Sequence, residues 1–303
     1  MFIFLVSSMA LIFIALIVIA LNPLLLMNFL ASLKKVKRLK DLPYDNDARH
    51  NLDIYMPEHL GVTKPVIVFV YGGAWDSGDK NDYQFAGAEF AQLGYVTAVP
   101  NYRLYPDAKF PHFIEDIASA CAALPKHLSA LKLKGAEVGV LDIILVGHSA
   151  GAHTVAMLNT QPSYFKNAGA KVKVKACIGL AGPYDLPLDD PLVVGKFDDI
   201  KVHDISAQHI DMGYEHNDHD ANPINLATAD ISKMLLMHGR ADDTVGLYHL
   251  ERFAKRLEAL GVDHETIIYD KVPHHHIVGG IAGVFHGLNP VFKDISDYLA
   301  RKG

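Results

Sequence analysis

The run Gly147-His148-Ser149-Ala150-Gly151 carries the clearest chemical signal in these 303 residues. A serine on a sharp turn from a buried strand into a helix has its hydroxyl pushed above the sheet edge, and flanking glycines relieve the crowding of the turn. The strand-like Asp142–Val146 before it and the helix-like Ser149–Asn159 after it supply that setting, so Ser149 is read as a nucleophile rather than a plain turn serine. Attack on a carbonyl builds negative charge on oxygen, which requires preorganised donors beside the nucleophile. Tyr71-Gly72-Gly73-Ala74-Trp75 follows an apolar strand, and its glycines let backbone approach a ligand closely. The N–H groups of Gly73, Ala74 and Ala150 form the predicted oxyanion hole, against the alternative of an ordinary glycine turn.

A serine nucleophile needs a base and an orienting carboxylate, which after a strand–turn–helix elbow of this kind follow it in the order acid then histidine. His238-Gly239-Arg240-Ala241-Asp242-Asp243-Thr244-Val245 starts where the strand Met234–Met237 ends, and loops at the carboxyl edge of a parallel sheet collect functional groups. Asp242 is the chosen acid, with Asp243 second and Asp185, after the preceding strand, third. Val272-Pro273-His274-His275-His276 follows the strand Glu265–Tyr269. Successive side chains on an extended loop point different ways, so the three imidazoles cannot all reach Ser149. His274 is the chosen base and His276 the next, with the choice among His274, His275 and His276 left open. Metal binding by the triple histidine is a weaker reading, because a hydrolytic triad needs no metal and no carboxylate spacing nearby supports one. His203, His209, His216 and His219, interleaved with Asp204, Asp211, Asp218 and Asp220, read as a solvated lid before a zinc site. No metal and no cofactor are expected.

The elements that must position these groups alternate in type. Leu52–Met56, Lys64–Tyr71, Tyr95–Pro100, Asp142–Val146, Val172–Leu180, Met234–Met237 and Glu265–Tyr269 read as strands. Tyr83–Leu93, Phe113–Leu131, Ser149–Asn159, Leu247–Leu260 and a segment near Pro290–Lys302 read as helices. Strands alternating with helices predict an α/β domain with a mainly parallel central sheet covered on both faces. The irregular, His- and Asp-rich stretch 185–230 is expected to be a lid or cap insertion within a catalytic domain spanning 51–303.

Residues 1–33 hold no charged side chain, and Phe2–Leu21 is nearly all apolar, about the length a helix needs to cross a bilayer. The expectation is an N-terminal transmembrane helix acting as a single-pass anchor in a lipid bilayer of the inner or plasma membrane. Lys34, Lys35, Lys37, Arg38 and Lys40 open a basic linker, 34–50, whose charge favours the cytoplasmic side. A net charge of −6 without a long basic run argues against nucleic acid as a partner. Cys121 and Cys177 form no C-x-x-C pair or metal-ligand spacing. Oligomeric state is not readable from the sequence.

From about Asn51 onward the chain resembles the α/β-hydrolases of the carboxylesterase and hormone-sensitive-lipase-like type, with a BD-FAE-like character. Tyr71–Trp75 looks like the HGGGW-type oxyanion motif, and Asn101-Tyr102-Arg103-Leu104 with Pro106, Phe110-Pro111 and Asp116 resembles the segment that follows it. Gly147–Gly151 with Ala152 and His153, Ala181–Asp185, the His238–Val245 run and Val272-Pro273-His274 fall in the same order. The resemblance implies a serine hydrolase cleaving small carboxylic esters through an acyl-enzyme, with Ser149 as nucleophile, Asp242 as acid and His274 as base. It departs from the pattern at Tyr71, where His is usual, at Ala74, where Gly is usual, and at Pro273 before the histidine. Rival readings are an amide hydrolase, such as an arylformamidase or peptidase, and a non-catalytic, membrane-tethered binding protein.

Overall fold

In the computed structural model, residues 22–59, 64–130, 139–187, 191, 193–197, 220–287 and 289–302 are described. Their strands are β1 (Lys37–Pro43), β2 (Asn51–Met56), β3 (Val66–Val70), β4 (Thr97–Pro100), β5 (Leu141–His148), β6 (Val172–Leu180), β7 (Met234–Gly239) and β8 (His264–Tyr269). They form one sheet in the order β1-β2-β4-β3-β5-β6-β7-β8. The β1–β2 and β2–β4 pairs are antiparallel, and every pair from β4 to β8 is parallel. All five side chains of β3 are buried, because helices cover both faces of the sheet and a β-branched run fits such a site.

The helices are α1 (Pro23–Ser32), α2 (Gln84–Gln92), α3 (His112–Ala130), α4 (Ala150–Thr160), α5 (Ser163–Asn167), α6 (Pro223–Leu226), α7 (Tyr248–Ala259), α8 (His274–Gly279) and α9 (Val291–Lys302). Each parallel strand ends on the same edge of the sheet. Loops leaving β3, β5, β7 and β8 there place Gly72, Ser149, Asp242 and His274 within one neighbourhood.

Two expectations for the N-terminal part are corrected. The segment read as a basic linker, 34–50, contains β1, an edge strand paired with β2 through Arg38↔Tyr55 and Leu39↔Ile54. Its Lys and Arg side chains hide the apolar alternation that marks a strand, and charge on an edge strand discourages pairing with other chains. Asp53, fully buried on β2, draws Arg38 to 2.5 Å and Lys80 to 2.9 Å, so one of the charges that suggested a linker, Arg38, in fact ties β1 to the sheet.

The membrane-anchored placement, with its transmembrane helix and bilayer contact through residues 1–33, is withdrawn. Among the described residues no helix is long and apolar enough to cross a membrane; residues 1–21 lie outside the described residues. α1 has ten residues, about 15 Å at 1.5 Å per residue, half the ~30 Å of a hydrocarbon core. It is instead a capped helix docked on the domain. Asn22 caps it, Pro23 opens it, and Met27 and Ala31 are buried. Asn28 donates to the carbonyls of Asn81 and Asp82 and accepts from the Phe85 N–H.

Of the expected insertion 185–230, residues 185–187, 191, 193–197 and 220–230 are described, and Val193 and Phe197 join the core. His203, His209, His216 and His219, with Asp204, Asp211 and Asp218, lie outside the described residues.

Candidate active site

β5 ends at His148, and the chain reverses into α4 through Ser149, whose φ of 54° and ψ of −123° put a residue with a Cβ in a sparsely allowed region. The surroundings enforce it. A Cβ on Gly151 would lie 2.1 Å from the Val70 carbonyl oxygen, and one on Gly72 would lie 2.8 Å from the Ser149 Cβ. Only glycines allow the β3 loop to close onto the turn in this way. The Ser149 N–H donates to the Leu180 carbonyl at 2.9 Å, fastening the turn to β6 as well.

Ser149 Oγ donates to His274 Nε2 at 2.9 Å, and His274 Nδ1 donates to Asp242 Oδ2 at 2.7 Å. The carboxylate thus sets the tautomer that leaves Nε2 free to accept the hydroxyl proton. The expected extended loop over 272–276 is in fact the start of α8, with His274 as its first residue. Successive side chains on a helix diverge by about 100°. His274 is therefore buried, whereas His275 and His276 are exposed. Among the described residues no three or more His, Cys, Asp or Glu side chains converge so as to hold a metal ion.

Asp242 Oδ1 accepts the N–H groups of Thr244 and Val245 at 2.9 and 2.8 Å, while His238 Nε2 lies 3.3 Å from Oδ2. Burial pushes this carboxyl up, but the bonds from His238, His274 and Val245 outweigh it and hold the group well below the usual carboxylate range. Asp243 is exposed and accepts from the Thr244 hydroxyl. Asp185 is buried but takes Arg252 at 2.6 Å. The structure therefore brings Asp242 to His274, and neither alternative carboxylate.

Two buried histidines that sequence reasoning left without a role frame this pair. His238 opens the run that contains Asp242, and its Nε2–H donates to the Val245 carbonyl at 2.9 Å, closing the loop around the acid. His148, the variable residue before the serine, donates from Nε2 to the His274 carbonyl at 3.2 Å. Burial, reinforced by the facing His274, lowers its pKa to about 3, so it is a neutral donor. Its only sequence signal is adjacency to Ser149.

On the other side of the serine, Gly73, Ala74 and Trp75 all have positive φ, at 117°, 48° and 60°. The Gly73 carbonyl accepts from the N–H groups of Asp76 and Ser77, both at 3.0 Å, and from Ser77 Oγ at 2.9 Å. With that carbonyl turned inward to the loop, the N–H groups of Gly73 and Ala74 donate to no acceptor among the described residues. Ala150, first residue of α4, has an N–H that no intrahelical carbonyl can reach. Tyr71, standing where His is usual, is fully buried between Tyr102 and Tyr83. Its hydroxyl donates to Asn101 Oδ1 at 2.8 Å and accepts from Arg49 at 2.9 Å, while Tyr102 donates to its carbonyl at 3.1 Å. A buried polar network thus holds the base of the loop.

Comparison with known proteins agrees with this architecture. The chain is 26% identical over 253 residues to the isoprenylcysteine alpha-carbonyl methylesterase ICME of Arabidopsis thaliana, covering 80% of this chain and 57% of that protein. It is 27% identical over 246 residues to the probable carboxylic ester hydrolase LipM of Mycobacterium tuberculosis (strain ATCC 25618 / H37Rv), covering 77% of this chain and 54% of that one. The chain thus spans a little over half the length of these curated relatives. A truncated carbohydrate esterase from gut microbiota superposes with a TM-score of 0.69 at 19% identity, over 88% of this chain and 96% of that one. That likeness shows an α/β-hydrolase fold. The match to a family model runs over residues 52–257, from β2 into α7, taking in the Tyr71–Trp75 loop, Ser149 and Asp242 and ending before His274; on that span, more than half of its length, the chain belongs to the BD-FAE family.

Proposed function

We propose that the protein is a serine hydrolase of carboxylic esters that works through an acyl-enzyme intermediate. The observation that carries this reading is the unbroken chain of hydrogen bonds from Ser149 Oγ through His274 to Asp242 at the carboxyl edge of the sheet. His274 takes the Ser149 proton as Oγ attacks the ester carbonyl, and Asp242 stabilises the imidazolium. The N–H groups of Gly73, Ala74 and Ala150 receive the oxyanion, aided by the positive end of α4. Protonation of the alkoxide leaving group by His274 frees the alcohol; water, deprotonated by the same imidazole, then releases the acid. The esterase names of the relatives support the ester bond as the target, and a carboxylic methyl ester like that named for ICME belongs in the first substrate panel.

In this reading Ser149→Ala abolishes p-nitrophenyl acetate hydrolysis and labelling by a fluorophosphonate. Labelling that persists in Ser149→Ala overturns the assignment of the nucleophile. Running formyl-anilide beside the ester separates an esterase from the amide hydrolase alternative, since an amidase turns over the anilide at the higher kcat/KM.

A further inference from the structure

Lys196 reaches the oxyanion loop from 122 residues further along the chain, donating from Nζ to the Ala74 carbonyl at 2.9 Å and to Asp76 Oδ2 at 2.5 Å. It is only 6% exposed. Lysine is among the residues least often buried, because its ammonium loses hydration there, and a half-exposed Asp76 is a modest counter-ion. The backbone around it is pinned: the Lys196 carbonyl accepts the Phe110 N–H at 2.8 Å. The next residue, Phe197, meets the Trp75 ring edge-on at 4.9 Å, and the rings of Phe113 and His153 complete the enclosure. The Tyr105 N–H, finally, donates to the Trp75 carbonyl at 2.8 Å.

These restraints converge on two residues that resist their own conformation. Ala74 and Trp75 are non-glycine residues in the left-handed region, which L side chains adopt only when surroundings over-determine it. A hydrogen bond to the Ala74 carbonyl fixes the plane of the Ala74–Trp75 peptide and hence the ψ of Ala74. With ψ of Ala74 and the Gly73 carbonyl both held, the Ala74 N–H keeps one direction.

We infer that Lys196 is a positioning residue for the oxyanion hole: it does not touch the substrate but, with Phe197 wedged against Trp75, holds Ala74 in the left-handed conformation that aims its N–H at the developing oxyanion. The inference rests on the esterase reading above. It assigns a lysine of the long excursion between β6 and β7 a share in stabilising the transition state, and it predicts an effect on kcat rather than on ground-state binding.

The test uses the full chain, with kcat counted per active site titrated by a fluorophosphonate, so that loss of folded protein does not pass for loss of chemistry. Lys196→Met keeps length and apolar bulk but donates nothing. It lowers kcat on p-nitrophenyl acetate about 100-fold, the scale of one lost oxyanion donor, with KM changed less than about 3-fold. Affinity for an aryl trifluoromethyl ketone falls by a similar factor. Attack of Ser149 Oγ on that ketone, its proton passing to His274 Nε2, forms a C–O bond as the C=O π bond breaks and leaves the former carbonyl oxygen as an oxyanion in the same hole, with no leaving group. Lys196→Arg, which keeps the donor and charge, recovers most of both. If Lys196→Met does not fold, Asp76→Asn, altering a half-exposed partner, is read instead, with a smaller loss in the same direction in both measurements. A kcat per site within about 2-fold of the unaltered chain in the variant that folds, or undiminished ketone affinity, overturns the inference. An unaltered chain that neither hydrolyses the ester nor takes the label overturns the esterase reading itself, whereas an active, labelled chain indifferent to these substitutions overturns this inference alone.

Discussion

Asp185 and Asp242 follow neighbouring parallel strands, β6 and β7, at the same edge of the sheet, and both carboxylates are closed off from water. Their partners differ in kind. Asp185 Oδ2 receives the Arg252 guanidinium, a permanent cation. Asp242 is held by backbone N–H groups and imidazoles, and among the described residues no Lys or Arg pairs with it. A carboxylate already matched by arginine has little left to offer a second cation. One held by backbone N–H groups and ring N–H groups, with no permanent cation beside it, is free to attract a proton arriving on His274 in the proposed mechanism. In the proposed mechanism the surroundings set one residue type to structural use at Asp185 and to chemical use at Asp242.

The sharpest way to break this contrast is Asp242→Asn. In the proposed mechanism it keeps the shape of the site but loses the charge and the correct tautomer of His274, and kcat falls about 10⁴-fold, the scale seen where a triad carboxylate becomes an amide. Asp243→Asn, one residue along and exposed, is the control and leaves kcat within about 3-fold. Equal losses in the two variants would contradict the choice of acid.

The mirror-image substitution, Asp185→Asn, strands Arg252 beside a neutral amide. It costs about 1.5–3 kcal/mol of stability in urea denaturation, the scale of a charged hydrogen bond, while kcat per folded molecule stays close to that of the unaltered chain. A large kcat loss without destabilisation would instead place Asp185 in the chemistry.

A smaller effect sharpens the role of the buried imidazole behind His274. His148, held in the fold at a pKa of about 3 by burial and then by His274, returns to about 6.5 on unfolding. Between those values the unfolded chain binds the extra proton, so stability falls as pH drops below about 6.5. The contribution lost between pH 6.5 and 5 is of order 1–2 kcal/mol. His148→Gln keeps an N–H for the His274 carbonyl but cannot titrate. Its stability therefore declines less over that interval, and identical slopes would mean that His148 is not the neutral, buried donor described.

Much of the fold was written locally. The apolar run of β3, the strand–turn–helix around Ser149 and the helical spacing of α3 and α7 depend on near neighbours in the chain, and the structure forms each of them within a few residues of the expected bounds. The strand β1 escaped notice because an edge strand exposes alternate side chains, so its charge hid its pairing. Within the expected anchor, 1–33, the described part Pro23–Ser32 is a helix held to the domain through Asn28, Met27 and Ala31, contacts that apolar composition by itself does not announce; the stretch Phe2–Leu21 lies outside the described residues.

The sequence alone located the candidate nucleophile, because the tight turn at Ser149 is encoded, with Gly147 and Gly151 beside it, within five consecutive residues, whereas Gly72 comes to it from the β3 loop. It also narrowed the candidate acid and the candidate base to short runs, since strand ends are local properties. Which carboxylate faced His274, which of three histidines turned inward, and that Lys196 lay against the Ala74 carbonyl were decided only by tertiary structure. Those outcomes depend on the rotation of a helix, on an arginine that claims a competing aspartate and on contacts more than a hundred residues apart. No spacing in a chain records distances that arise only when the sheet edge is assembled.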